Sequence, residues 1–179
     1  MLKVYGFSRV NKIARGNTRD LRVLWALEEM QQPFELVGLD HPAKDLNAAA
    51  FRALNQFEQL PVIDDDGLVL SESGAILFYL ARKTGKFIAA DPRGTVTCLE
   101  WLFWQIGGLG PMTGQYGHFN VYAPEKIPYA IQRYTREAQR LLGVLDKRLH
   151  GREYICGNDY TIADMACYPW IDPYSKAPL

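Results

Sequence analysis

Two short apolar runs, at residues 60–63 and 68–70, flank a polar turn that ends in Asp66-Gly67. Runs of this length around an Asp-Gly pair predict a β-hairpin. The tetrapeptide Ser-Glu-Ser-Gly follows at residues 71–74, and apolar residues then recur at helical spacing. This order predicts that the second strand leads directly into a helix whose first turn carries hydroxyl and carboxylate side chains.

The remaining pattern of the first 84 residues predicts a βαβ-ββα order, which is typical of a thioredoxin-like domain. A polar, basic loop separates the first strand from the first helix, and we expect Asn17 or Thr18 to cap that helix. Pro33 ends the first helix and Gly85 follows the last one. Strands are predicted at residues 2–6 and 34–39, and further helices around residues 21–27 and 42–54.

The pattern changes after a predicted linker at residues 85–92, because no strand signal follows. We therefore predict an α/β domain at residues 1–84 and an all-helical domain at residues 93–179. Thr161 with Asp164 three residues later is a variant of the capping box and predicts a helix start with a structural role. Helices are also predicted at residues 96–106 and 124–149, and the glycine-rich residues 107–111 are expected to break or bend the first of them.

Charge balance and cysteine usage narrow the class of function. Lys+Arg and Asp+Glu both number 20, so no general attraction to nucleic acid or to a membrane surface is expected. No apolar run approaches the ~18 residues of a membrane-spanning helix, and the first residues do not resemble a signal peptide. The three cysteines form no CxxC pair, which favours a reducing cytoplasm. His41 and His118 have no metal-ligand spacing, so no metal is expected.

The predicted junction between the hairpin and the next helix has a chemistry of its own. Backbone N–H groups at a helix start favour a bound carboxylate. The carboxylate of Glu72 can hold an ammonium group beside it. A site that holds both ends of a zwitterion is predicted to bind an amino acid or a peptide.

The sequence Leu-Pro-Val-Ile at residues 60–63, the hairpin, and Ser-Glu-Ser-Gly-Ala-Ile at residues 71–76 together resemble the glutathione site of the glutathione transferase family. The resemblance implies a cis peptide between Leu60 and Pro61. It also implies that the backbone of Leu60 pairs with the cysteinyl part of glutathione.

The same resemblance implies roles for three polar side chains. Glu72 and Ser73 are expected to bind the γ-glutamyl end of glutathione, and the alternative is that they only cap the helix. Gln59 is expected to reach the glycine carboxylate, and the alternative is an exposed loop residue.

The helical half resembles a bacterial subgroup, the Nu-class transferases, whose members can reduce disulfides with glutathione. The resemblance implies that Arg133 helps to bind glutathione, and the alternative is an ordinary surface arginine. Two departures stand out: the loop at residues 8–18 is longer than usual, and the family normally continues beyond Leu179, so the helical domain is expected to be incomplete. The segments that carry this resemblance are residues 101–112, 118–120 and 127–134.

A thioredoxin-like domain without a CxxC pair cannot carry out dithiol exchange by itself. The reacting thiol therefore has to come from its ligand. A free thiol has a pKa near ~8.5, so the protein has to stabilise the thiolate. The start of the first helix offers hydrogen-bond donors and the positive end of a helix dipole. We therefore predict Asn17 and Thr18 as the catalytic residues, with simple helix capping as the alternative. Tyr5 is a weaker candidate, as are Ser8 and Arg15.

The sequence therefore predicts a cytoplasmic, homodimeric glutathione S-transferase that activates the glutathione thiol for attack on a small electrophile. Two alternatives stay open. One is a glutathione-dependent reductase of disulfides or peroxides. The other is a non-catalytic binding module on the same fold, since a fold does not determine a function.

Overall fold

The computed structural model describes residues 1–12 and 15–171 of the chain. It divides into two compact units, one that ends at Lys86 and one that begins at Phe87. The first is a thioredoxin-like α/β unit, and the second is helical, as the sequence predicts.

The first unit is built on a four-stranded sheet in the order β2-β1-β3-β4. β1 is parallel to β2, and β3 is antiparallel to both β1 and β4. The hairpin prediction is confirmed, since Asp66 and Gly67 both adopt positive φ, at 52° and 94°, as a two-residue turn between twisted strands requires. The strands are β1 (Lys3–Arg9), β2 (Glu35–Asp40), β3 (Val62–Asp65) and β4 (Leu68–Ser71).

Helices cover both faces of this sheet. The buried residues of α1 recur at helical spacing, and those of α3 do the same, so these two helices supply much of the core. On α2, Phe51 packs with Leu60 and Val62 in a separate cluster. The helix predicted at residues 42–54 is divided, because Ala48 is extended between a 3₁₀ turn at Asp45–Asn47 and α2. The helices are α1 (Asp20–Met30), α2 (Ala49–Leu54) and α3 (Ser73–Thr84).

The helical path of the second unit runs through its glycine-rich segment without a break. A π turn at Gln105–Leu109 joins α4 to α5, and Pro111 lies in the first turn of α5, where its missing N–H is tolerated. Of the break or bend expected at residues 107–111, the break is therefore wrong, and the bend stays a prediction. The helices are α4 (Pro92–Trp104), α5 (Gly110–Gly117), α6 (Pro128–Leu149) and α7 (Ile162–Cys167).

Local signals in the sequence set several helix ends. Gly85, with a φ of 68°, closes α3, and Pro128 occupies the first turn of α6. The capping box at α7 is confirmed, since the hydroxyl of Thr161 accepts the Ala163 N–H and Asp164 accepts the Thr161 N–H at 2.9 Å. The carboxylate of Asp164 also accepts the Ile155 N–H at 2.8 Å, so it fastens the loop before α7.

Candidate functional site

Parts of three strands lie together at one edge of the sheet in the first unit, the edge at which β4 ends. Tyr5 pairs with Val62, and Val62 pairs with Ser71 on its other side. Because both pairings are antiparallel, the end of β1, the residues before β3 and the residues after β4 lie side by side. Pro61 and Glu72, which flank the paired residues, are therefore neighbours across the hairpin.

The residues before β3 form a tightly held loop. The Leu60–Pro61 peptide is cis, which confirms the expectation drawn from the family resemblance. Asn55 is buried, and its amide donates to the carbonyl of Gln59 at 2.7 Å while its oxygen accepts the Phe57 N–H at 3.0 Å. These bonds set the approach of the chain to Leu60 and leave the side chain of Gln59 exposed.

Glu72 adopts an unusual backbone conformation at the start of α3. Its φ of 72° and ψ of 112° lie in a region that residues other than glycine rarely occupy. Its carbonyl accepts the first helical bond, from the Ile76 N–H at 2.9 Å, whereas its exposed side chain makes no capping bond to α3, which the structure describes in full. The interpretation of Glu72 as a side-chain cap is therefore wrong.

Ser73 is the first residue of α3 and is half-buried beside Glu72. The backbone N–H groups before Ile76 have no carbonyl partner within a helix of this geometry. A hydroxyl, a carboxylate and these N–H groups thus converge where β4 ends. This arrangement can hold a carboxylate and an ammonium group at once.

The start of α1 is fixed to the same edge by a buried carboxylate. Asp20 is 1% exposed, and its Oδ2 accepts the Phe7 N–H from the end of β1 at 2.7 Å. Arg19 occupies the N-cap position, and no described side chain caps the helix. The prediction that Asn17 or Thr18 caps α1 is therefore wrong, because the helix begins where Asp20 is held to the strand.

Asn17 and Thr18 immediately precede this anchored helix start. Asn17 is exposed, and its amide donates to the carbonyl of Arg15 at 3.4 Å. Thr18 is half-buried. Tyr5, the competing candidate, is half-buried and packs against the cluster that contains Phe51, which supports its interpretation as a packing residue.

A second buried carboxylate ties the hairpin to α3. Asp65 on β3 accepts the hydroxyl of Tyr79 at 2.7 Å and also pairs with the ammonium of Lys83. The hydrogen bonds from Lys83 and then Tyr79 lower the pKa of the Asp65 carboxyl, and the same carboxylate raises the pKa of Lys83. The junction at Glu72 lies between the two elements that this network joins.

Sequence reasoning missed Asn55, Asp20 and Asp65. Each is a buried polar residue whose importance comes from the particular backbone or side-chain partners that the fold places beside it. The sequence signal for these three residues was weak, since Asn and Asp are common in turns and at helix starts.

Arg133 belongs to α6 in the second unit, where it lines a cavity of about 480 Å³. Arg136, Arg140 and Glu137 line the same cavity, so arginine exceeds carboxylate among the described lining residues. Glu137 accepts two bonds from Arg140, at 2.9 and 2.7 Å, and this contact lowers the pKa of Glu137. The cavity is therefore suited to an anionic group.

The described residues contain neither a clustered set of metal ligands nor a membrane-spanning helix. Within residues 1–12 and 15–171, no group of three or more His, Cys, Asp or Glu side chains is arranged to hold a metal ion. None of the helices in that part of the chain has the length and apolar character needed to cross a membrane.

Two family models match the sequence. The model of the glutathione S-transferase N-terminal domain matches residues 13–82, and that of the glutathione S-transferase C-terminal domain matches residues 112–178. The disulfide-bond oxidoreductase YfcG of Escherichia coli (strain K12) is 45% identical over 157 residues, which cover 84% of this chain and 73% of YfcG.

Solved structures resemble the whole fold. A glutathione transferase from Burkholderia graminis, with two glutathione molecules bound per subunit, has a TM-score of 0.88 and 37% identity over 98% of this chain and 73% of its own. A glutathione transferase from Pseudomonas putida, with one glutathione disulfide bound per subunit, has a TM-score of 0.87 and 34% identity over 98% of this chain and 76% of its own.

We expect Asp65→Asn to flatten the pH dependence of stability. The lowered pKa of Asp65 means that its contribution is present above an unfolded value of about 3.9 and is lost as the pH falls through the folded value. The raised pKa of Lys83 means that its contribution is present below about 10.4 and is lost as the pH rises through the folded value. The free energy of unfolding, measured with urea across the acidic and the alkaline pH range, gives the slope of stability against pH in each range.

The matched control is Asp66→Asn, which changes an exposed carboxylate in the turn of the same hairpin. This variant is expected to keep the wild-type slopes, because exposed ion pairs contribute little. Equal slopes in wild type and Asp65→Asn would contradict the proposed role of the Asp65 network.

Proposed function

Because this chain belongs to the glutathione S-transferase family, we propose that it binds glutathione at the sheet edge of its first unit and uses the bound thiol to reduce small disulfides. The observation that carries the proposal is the conformation of Glu72. A strained, exposed glutamate at a helix start, beside the residues before β3, is the kind of backbone outlier that functional sites retain.

In this proposal the two halves of the edge bind different parts of glutathione. The carboxylate of Glu72 pairs with the ammonium of the γ-glutamyl group, and Ser73 with the N–H groups of α3 binds its carboxylate. The backbone of Leu60 pairs with the cysteinyl part, and Pro61 shapes this contact. Gln59 is exposed next to it and reaches the glycine carboxylate.

The cysteinyl sulfur then faces the start of α1, because Asp20 holds that helix start against the end of β1. Donors on Asn17 and Thr18 and the positive end of the helix stabilise the thiolate more than the thiol. This preference lowers the thiol pKa and increases the thiolate fraction at neutral pH. Both residues act here on the ligand, since neither caps α1.

The reaction is a pair of thiol–disulfide exchanges. Glutathione thiolate attacks one sulfur of a small disulfide, which forms a mixed disulfide and releases one thiolate. A second glutathione attacks the mixed disulfide, which releases the second thiol and glutathione disulfide. The name of YfcG and the glutathione disulfide bound in the Pseudomonas putida structure favour this chemistry.

Conjugation is the second candidate, because the same thiolate can attack a small electrophile and the chain shares both family domains. A non-catalytic binding module is the third. Turnover assays with bis(2-hydroxyethyl) disulfide and with an aromatic halide distinguish all three. Binding of glutathione without either turnover would support the module and contradict both enzymatic proposals.

We assign Arg133 a part in glutathione binding through the positive charge of its cavity in the second unit. A carboxylate of the tripeptide is the group that this arginine suits. The assignment depends on the resemblance of α6 to the transferase subgroup.

We also propose a homodimer in a reducing cytoplasm, in which the first unit of one subunit faces the second unit of the other. Phe57 in the first unit and Phe103 in the second are large apolar side chains that are 52% and 66% exposed, as expected of interface residues. All three cysteines are thiols, which suits a reducing compartment. Sedimentation velocity at micromolar concentration is expected to show a dimer, and a monomer would contradict this assembly.

We expect Glu72→Ala to weaken glutathione binding by about 1.5–3 kcal/mol, because a hydrogen-bonded charge pair is lost. This loss corresponds to roughly a ten- to hundred-fold higher Kd in calorimetric titration. Arg133→Ala is expected to weaken binding in the same titration. Glu28→Ala, which removes an exposed glutamate of α1, is the matched control and should retain the wild-type Kd. Unchanged affinity in Glu72→Ala would refute the assignment of Glu72.

Replacing Asn17 and Thr18 together by Ala is expected to raise the pKa of bound glutathione by roughly one to two units. The thiolate absorbance measured against pH reports this shift, and turnover at neutral pH should fall with it. Tyr5→Phe is the matched control and should leave the pKa unchanged. A raised pKa in Tyr5→Phe, with a normal one in the double variant, would replace our assignment by the tyrosine.

A further inference from the structure

The proposed glutathione site of the first unit has a basic side. Residues 9–19 contain four cationic side chains and no Asp or Glu, although cations and carboxylates balance at 20 each over the whole chain. A concentration of one charge in a neutral protein produces a local potential that acts on charged ligands. The four cations lead from the end of β1 to the N-cap of α1, and they are Arg9, Lys12, Arg15 and Arg19.

The carboxylates at this edge do not offset all of this charge. Asp40, at the end of β2, pairs with Arg9 at 2.8 Å and also accepts the Ala43 N–H at 3.0 Å. Lys12 and Arg15 are exposed, and no ion pair among the described residues includes either of them. These two cations are therefore accessible to a charged molecule from solution.

The order of the strands separates the two cations from the segments that we assign to the ends of glutathione. In the order β2-β1-β3-β4, those segments precede β3 or follow β4, whereas Lys12 and Arg15 follow β1. The chain then reaches Asn17, whose amide donates to the carbonyl of Arg15 at 3.4 Å. Lys12 and Arg15 thus belong to the segment that leads to the proposed thiol position, and not to those that bind the two ends of the tripeptide.

Cations near the thiol act on the second reactant of the exchange. The attacking glutathione thiolate is negative, so it repels a disulfide that carries carboxylates. Exposed Lys and Arg side chains offset this repulsion and attract an anion from solution. A neutral disulfide gains no such attraction, and a cationic disulfide is disfavoured by the same charges.

We propose that Lys12 and Arg15 make the site selective for small disulfides that carry carboxylate groups. This inference rests on the glutathione-dependent disulfide reduction proposed for the first unit. A carboxylate of the substrate lies near the two cations while one of its sulfur atoms meets the glutathione thiolate. The two side chains act through their charge and exchange no proton with the substrate.

The exchange itself is balanced by two glutathione molecules. The first thiolate attacks one sulfur of the substrate, which forms a mixed disulfide and releases one half as a thiolate that takes up a proton. A second glutathione loses its proton and attacks the glutathione sulfur of the mixed disulfide, which releases the other half as a thiol. The small disulfide is reduced to two thiols, and two glutathione molecules are oxidised to glutathione disulfide.

The test compares three aliphatic disulfides of similar size in the presence of glutathione. They are 3,3′-dithiodipropionate with its two carboxylates, the neutral bis(2-hydroxyethyl) disulfide, and cystamine with its two ammonium groups. For each disulfide, kcat/KM is divided by the rate constant of its uncatalysed reaction with glutathione, which removes differences in intrinsic reactivity. The wild type is expected to prefer the dicarboxylate on this scale.

In Lys12→Ala/Arg15→Ala we expect the value for the dicarboxylate, relative to the neutral disulfide, to fall roughly three- to tenfold, as the loss of two exposed charge contacts predicts. The relative value for cystamine should rise. Both changes should diminish at about 0.5 M salt, because salt screens exposed charges. The matched control is Lys3→Ala/Arg82→Ala, which removes two exposed cations at the start of β1 and in the last turn of α3 and should retain the wild-type ratios.

Equal losses for all three disulfides in Lys12→Ala/Arg15→Ala would overturn the proposal, because they would show that the cations act on the thiol or on glutathione. Unchanged ratios would overturn it as well. Failure of the proposed function is distinguishable, since the wild type would then reduce none of the three disulfides. In that case an NMR titration with 3,3′-thiodipropionate, a dicarboxylate without a disulfide, in excess glutathione decides the question. The Kd should be higher in Lys12→Ala/Arg15→Ala than in the control variant, and equal values would contradict the inference.

Discussion

The antiparallel pairing of β3 with β1 on one side and β4 on the other is the constraint on which the candidate site depends. Val62 is paired with Tyr5 and with Ser71, and these two pairings set the register of three strands at once. A slip of one residue would move alternate side chains to the opposite face of the sheet. The register therefore keeps Pro61 and Glu72 side by side while it preserves the core.

Two buried carboxylates hold helices against the strands at this edge of the sheet. Asp20 fixes the start of α1 to the end of β1, and Asp65 fixes the hairpin to α3 through Tyr79 and Lys83. A buried carboxylate is costly without hydrogen-bond partners, so the bonds to Oδ2 of each one favour a single arrangement of the elements that it joins. Among the described residues Oδ1 of Asp20 has no hydrogen-bond partner. The helix starts that we assign to glutathione are both held in this way.

The proposed thiol of the first unit belongs to the ligand, and the start of α1 stabilises its charge. This proposal rests on a general principle, since a donor that bonds the charged form of a group lowers the pKa of an acid.

The sequence by itself determined the structural features that depend only on residues adjacent in the chain. The Asp-Gly turn at residues 66–67, the C-terminal glycine of α3 at Gly85 and the capping box of Thr161 are local patterns, and the structure bears them out. The motifs around Pro61 and Glu72, to which we assign glutathione binding, were also visible in the sequence, because they lie within one continuous hairpin.

Only the tertiary structure decided which distant side chains meet. Asp20 begins α1 because it accepts a bond from Phe7 on a strand, so capping propensity alone misplaced the helix start at Asn17 or Thr18. The bonds of Asp65 to Tyr79 and Lys83 likewise depend on how α3 packs against the hairpin. Sequence spacing carries no such information, because the contact energy of a buried polar group depends on the one partner that the fold places beside it.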